Sequence, residues 1–174
     1  MPGQLKPAVS NQDHIQGAEE ATIEIVEYGD YQCPHCGAAY PVIQKIQKKF
    51  LTQIKFVFRN FPLAESHRFA LPAAVAAEAA GLQGKYWEMH DLIFENQKSL
   101  SHEGLFAMAK SAGLNIEQFK NDIQRPDLEE KVDADFESGI RSGVNGTPTF
   151  FVNGTRFDGG AEDLYDMLLE SAED

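Results

Sequence analysis

Cysteine is scarce: only two of the 174 residues carry a thiol, Cys33 and Cys36, three positions apart. One such pair cannot build the multi-disulfide framework of a small secreted scaffold. Basic charge is also scarce, with 15 Lys and Arg against 27 Asp and Glu and a formal net charge of −12. This excludes sequence-independent nucleic-acid binding, which sets cations against phosphates, and a polybasic membrane patch. No run reaches the ~18 consecutive apolar residues of a membrane-spanning helix. Met1 to Glu20 lacks the apolar core of a secretory signal. As written the chain is therefore expected in the cytoplasm, or in the periplasm or another extracytoplasmic space if an upstream signal has been removed. Histidines are few and spread out, at 14, 35, 67, 90 and 102. No second close pair of ligands exists for a structural zinc, so no metal and no cofactor beyond the cysteine pair is expected.

What the chain does have is core material: 43% hydrophobic residues, twelve Phe among them. Met1 to Glu20 is polar, with little periodicity, and reads as an arm. Ala21 to Tyr28, rich in β-branched residues, reads as a strand. From Pro34 to Phe50 the positions Ala39, Ile43, Ile46 and Phe50 make one helical face. Ile54, Phe56 and Phe58 alternate with Lys55, Val57 and Arg59, the pattern of a half-buried strand. This opening is strand–helix–strand, long enough for a right-handed parallel crossover.

Residues 66–143 hold helical stretches and no convincing strand, near Phe69 to Ala80, Tyr86 to Asn96, Glu103 to Ala112, Ile116 to Ile123 and Leu128 to Ile140. Strand pattern returns at Thr149 to Val152, followed by the Asn153-Gly154 hairpin signal and Thr155 to Asp158. Leu164, Met167 and Leu168 mark a terminal amphipathic helix. The expected fold is α/β: residues 21–65 and 144–174 as βαβ–ββα, interrupted by an all-helical insertion at 66–143, with 1–20 as a polar arm.

Three chemistries compete for Cys33-Pro34-His35-Cys36. A structural disulfide is the weakest, because chain-entropy stabilisation is ~3 kcal/mol for a 15-residue loop and shrinks with the loop. Zinc lacks its remaining ligands. Redox chemistry fits the setting, since the pair follows a strand and opens a helix. With Cys33 as N-cap, Pro34 occupies the first helical position, where a missing N–H costs nothing. His35 and Cys36 then turn unpaired amides towards the Cys33 sulfur. Those donors and the positive helix end favour thiolate over thiol. The His35 ring, protonated or donating, would act the same way, and a stabilised thiolate makes the disulfide oxidising.

The CPHC motif, the Gly146-Thr147-Pro148-Thr149 segment before the third core strand and the helical insertion together resemble the DsbA-like branch of the thioredoxin superfamily, from about Ala21 onward. The resemblance implies a thioredoxin fold and a thiol-disulfide oxidoreductase with a Cys33–Cys36 disulfide. Cys33 would be the nucleophile and Cys36 the resolving thiol. Pro148 would be cis, leaving Thr147 backbone groups to pair with an extended substrate, as in strand addition. Glu27, six residues before Cys33, falls where relatives carry a buried acid that takes the resolving thiol's proton; burial would raise its pKa. Pro41 matches a structural helix proline.

Tyr28, Tyr31 and Phe61 are equally consistent with a substrate groove and with packing. Trp87, Met89 and Phe94 read as insertion core, and His67, His90 and His102 carry no functional claim. The expected substrates are protein thiols and disulfides, with an unidentified redox partner and a monomeric state. A dithiol oxidase leads. The alternatives are a cytoplasmic reductase or glutathione-coupled exchanger, a glutathione transferase or isomerase (against which Cys36 speaks), and a redox-regulated binding module.

Overall fold

A computed structural model describes residues 3–173. It has strands β1 (His14–Gly17), β2 (Ile23–Gly29), β3 (Ile54–Asn60), β4 (Thr149–Val152) and β5 (Thr155–Phe157). The helices are α1 (Pro34–Phe50), α2 (Ala70–Leu82), α3 (Tyr86–Glu95), α4 (His102–Ser111), α5 (Ile116–Asp122), α6 (Pro126–Arg141) and α7 (Ala161–Glu173). The sheet order is β1-β3-β2-β4-β5. β2 and β3 are parallel, joined through α1, while β1 on β3, β4 on β2 and β5 on β4 are antiparallel. The α/β thioredoxin fold expected from the motifs and element order is the fold observed.

Alternation along the strands divides the core in two. Ile25, Phe56, Phe58 and Phe150 face Ile43 and Ile46 of α1 and Leu164 and Leu168 of α7, continuous with the buried side chains of α2 and α3. Val26, Tyr28, Val57 and Phe151 face the other way, onto Leu5, Phe61, Val144 and Phe136. Helix α2 is buried nearly all round, from Ala70 to Ala80, as its alanine-rich composition permits. Helix α6 lies close on the second sheet face because position 139 is glycine. A Cβ there would stand 2.7 Å from the Phe61 ring and 3.1 Å from the Tyr28 ring.

Two expectations are corrected. The first stretch is no mere arm: His14–Gly17 is an edge strand, Leu5 is buried, and Gln4 bridges Thr155. Its sequence HIQG lacks an apolar alternation; it is a strand because β3 offers it an open edge. Nor is β3 half-buried, since Val57 and Arg59 are as enclosed as Phe56 and Phe58. With α6 and the N-terminal segment covering the second face, that strand is central and buried on both sides. Burying Arg59 requires a partner, and Asp13 supplies a bidentate one, Nε–Oδ1 2.8 Å and Nη2–Oδ2 3.0 Å, while Nη1 donates to the Tyr28 hydroxyl. Burial opposes ionisation of Asp13, but the Arg59 hydrogen bonds outweigh it and hold the carboxyl below its usual range.

Candidate functional site

Strand β2 delivers the chain to Gly29, and a four-residue loop turns it into α1. Cys33 is the N-cap, with extended backbone (φ −68°, ψ 122°) and Pro34 opening the helix. The turn is held by Asp30, a residue that the motif-based reading passed over. Its Oδ1 accepts from the amides of Gln32 (2.7 Å) and Cys33 (3.2 Å). Its Oδ2 accepts from the Leu63 amide (2.9 Å) and lies 2.7 Å from His67 Nδ1. The first contact is an Asx turn, so Asp two residues before Gln32 was a legible signal. His67, given no role from sequence, thus buttresses the loop.

Both cysteines are free thiols here. Cys33 keeps 4% exposure and Cys36 none, so only Cys33 can meet another protein's sulfur. The Cys33 pKa falls from 9.0 to about 5. The largest cause is the hydrogen bond from the Cys36 thiol, which outweighs burial; Thr147 and the amides of Cys36 and His35 add to it. Cys36 moves the other way, far above its usual range, because its proton is committed to Cys33, because it is buried, and because Glu27 lies near. Its sulfur also accepts from the Asp30 amide at 3.4 Å.

The two parts of His35 stand differently towards the Cys33 sulfur. The imidazole is exposed and makes no hydrogen bond to Cys33 among the described residues, while the His35 main-chain N–H is a donor to that sulfur. The helix start itself provides the donor, whatever side chain stands there.

Glu27 points to the α1 face of β2, with Phe58 and Phe150 opposite it on the neighbouring strands. It is 3% exposed and its Oε2 has no hydrogen-bond partner. Burial, then the Cys33 charge, raise its pKa from 4.5 to about 8. An acid so placed holds a proton near neutrality and can exchange it with a thiol.

The Thr147–Pro148 peptide is cis, and so is Lys6–Pro7, which sequence did not signal. The Cys33 thiol donates to the Thr147 carbonyl at 3.7 Å. The buried Thr147 Oγ1 has no partner, so it is a donor available to the thiolate. A cleft of about 480 Å³ runs from His35, Ala39 and Val42 past Thr147 and Pro148 to Glu162. Thus Cys33, Pro34, His35, Cys36, Glu27, Thr147 and Pro148 come together around one loop. Pro41 lies within α1, on its exposed side.

Tyr28, Tyr31 and Phe61 belong to the core, at 0%, 1% and 2% exposure. Tyr31 bonds His90 Nδ1 through its hydroxyl at 2.8 Å, and burial keeps that imidazole neutral, its pKa down at about 3. Met89 and Phe94 are buried with Trp87 packed against them, and His102 stands edge-on to Phe69.

Comparison with known proteins adds to this geometry. A family model described as thioredoxin matches residues 9–170. Among curated proteins, Na(+)/H(+) antiporter NhaA 1 of Salinispora arenicola is 40% identical over 155 residues, 89% of this chain but 24% of that protein. The chain thus spans about a quarter of the length of the curated relatives it matches. Among solved structures, oxidised BdbD of Bacillus subtilis is 27% identical with TM-score 0.83, covering 99% of this chain and 96% of that one. A thioredoxin-like oxidoreductase of Silicibacter pomeroyi is 26% identical with TM-score 0.79, covering 95% of each.

Proposed function

The chain belongs to the thioredoxin family, and from that premise we propose that it is a DsbA-like thiol-disulfide oxidoreductase working as a dithiol oxidase on protein thiols. The observation that carries the direction is the stabilised Cys33 thiolate, its pKa drawn down to about 5. At neutral pH this favours the reduced enzyme by up to ~3 kcal/mol, equivalent to at most ~60 mV of added oxidising power. Solvent at the mouth of the site screens part of it.

In the forward direction a client thiolate attacks Cys33 of the Cys33–Cys36 disulfide, and Cys36 leaves as a thiolate. Glu27, protonated near neutrality, is the group supported to return a proton to Cys36. The second client thiolate then attacks the client sulfur of the mixed disulfide, and Cys33 departs as the stable thiolate. The client gains a disulfide and the enzyme is left as the dithiol, so two electrons move from client to enzyme. Re-oxidation falls to a separate partner. The cleft beside Thr147 and Pro148 supports docking of an extended client segment through main-chain contacts.

An oxidase works outside the glutathione-reduced cytosol, so this reading goes with an extracytoplasmic location and the reductase reading with a cytoplasmic one. No helix among the described residues is long and apolar enough to cross a membrane. The transport activity named for the antiporters is not carried over, since this chain covers only about a quarter of them. The test is Cys36→Ala, which leaves mixed disulfides unresolved. Trapped clients that become disulfide-bonded in the presence of wild-type enzyme support an oxidase; clients whose existing disulfides are lost support a reductase. No trapped adduct would count against protein substrates altogether.

A further inference from the structure

We infer that Gln97, on the short turn after α3, is a positioning residue that holds the redox loop from the helical block. Its Nε2 donates both of its hydrogens across the fold, to the Tyr31 carbonyl at 3.0 Å and to the Cys33 carbonyl at 2.8 Å. One belongs to the peptide that follows the attacking cysteine and the other to the Tyr31–Gln32 peptide, one residue before the peptide that precedes it. The Cys33 carbonyl also accepts the first bond of α1, from the Gly37 amide at 3.0 Å. Gln97 therefore pins the N-cap peptide from outside, where Pro34 has no N–H to contribute.

Position 37 carries the complementary mark. A Cβ built on Gly37 would lie 2.1 Å from Gln97 Oε1 and 2.8 Å from its Cδ. The Gln97 amide thus lies flat on the first turn of α1, in space that any side chain at 37 would take. Glycine is a poor helix residue, and here its cost to the helix coincides with room for the amide. The consequence is chemical as well as mechanical. The Cys33 thiolate depends on where its sulfur sits, against the Cys36 thiol first and then against Thr147 and the amides of Cys36 and His35. Fixing the Cys33 carbonyl and the Tyr31 carbonyl two residues earlier keeps the sulfur over those donors. This role rests on Cys33 being the attacking thiolate, whichever way electrons flow.

The test uses the reduced 174-residue chain with Gln97→Leu, Gln97→Ala, Gly37→Ala and the double variant Gly37→Ala/Gln97→Ala. Thiolate absorbance against pH reports Cys33, and thermal melting reports folding. Each single variant is expected to titrate about half a pH unit or more higher than wild type. The double variant should match Gln97→Ala rather than add to it, and should melt above Gln97→Ala because alanine replaces glycine in a helix. Gln97→Leu keeps the bulk and removes both donors, so a folded Gln97→Leu with the wild-type titration overturns the inference. Additive shifts in the double variant also overturn it. A wild-type Cys33 that titrates like an ordinary thiol would instead defeat the reading of the site.

Discussion

Replacing Glu27 with Gln is expected to stabilise the reduced protein progressively as pH rises while slowing its chemistry. The acid ordinarily ionises at 4.5 and here at about 8, because it is buried and faces the Cys33 charge. Between those values the unfolded chain has released the proton and the folded chain retains it. Stability conferred by the protonated acid therefore falls with rising pH, by ~1.4 kcal/mol per pH unit. Below 4.5 both states are protonated and the penalty vanishes; above about 8 it is constant. Between about pH 5 and about pH 7.5 this amounts to about 3 kcal/mol.

Gln cannot ionise, so it escapes that slope. Its amide is as poorly satisfied as the carboxyl it replaces, but that cost is independent of pH and cancels in the comparison. The lowered Cys33 pKa contributes an opposite slope, with stability gained as pH rises from about 5 towards 9, and it is present in both proteins, altered in the variant only by the loss of the Glu27 charge. The assay is urea unfolding of the reduced proteins at several pH values, followed by the fluorescence of Trp87, the one tryptophan. The difference between variant and wild type should widen by about 3 kcal/mol across that window. Formation of the mixed disulfide, the step in which Cys36 leaves, should slow about tenfold or more. Parallel stability curves would refute the burial argument for Glu27. A widening gap with unchanged mixed-disulfide formation would leave burial standing and remove its role as proton carrier.

Three further outcomes follow from the same geometry. Thiolate absorbance of the reduced protein should titrate with a midpoint of about 5, disappear in Cys33→Ser and persist in Cys36→Ala at a higher midpoint, because the Cys36 hydrogen bond is gone; persistence in Cys33→Ser would assign the thiolate to the wrong sulfur. Asp30→Ala strips acceptors from the amides of Gln32, Cys33 and Leu63 and should cost about 3 kcal/mol or more of stability in chemical denaturation, with slower alkylation of Cys33; a change under ~1 kcal/mol would mean that water replaces the carboxylate. Asp13→Ala leaves the buried Arg59 guanidinium unpaired and should cost about 3–5 kcal/mol, whereas a near-neutral result would return the first stretch of chain to a loose arm.

Much of the fold was legible because its signals are local. The β-branched run of β2, the helical face of α1, the Asn-Gly hairpin and the glycine-punctuated helices each declare themselves within a dozen residues. The site was legible where chemistry is written in a motif, at Cys33 and Cys36 and in the proline at the start of the helix. The structure's cis Thr147–Pro148 bond agrees with what the family resemblance implied.

What was hidden depends on distant partners. His14–Gly17 is a strand because β3 has a free edge, a fact absent from its own four residues. Arg59 reads as a solvent-facing residue until Asp13, 46 positions earlier, is placed beside it. Asp30 could have been found from its turn chemistry. Gln97 could not, since its partners are backbone carbonyls 64 and 66 positions away and carry no side-chain signature.

The direction of electron flow is decided most directly by the reduction potential of the Cys33–Cys36 pair, measured by equilibration with glutathione and quantification of the oxidised and reduced enzyme. A thiolate held at a pKa of about 5 predicts a potential above that of thioredoxin by up to ~60 mV, reaching roughly −210 mV. A value near that of thioredoxin, about −270 mV or lower, would contradict the account and make the chain a reductase.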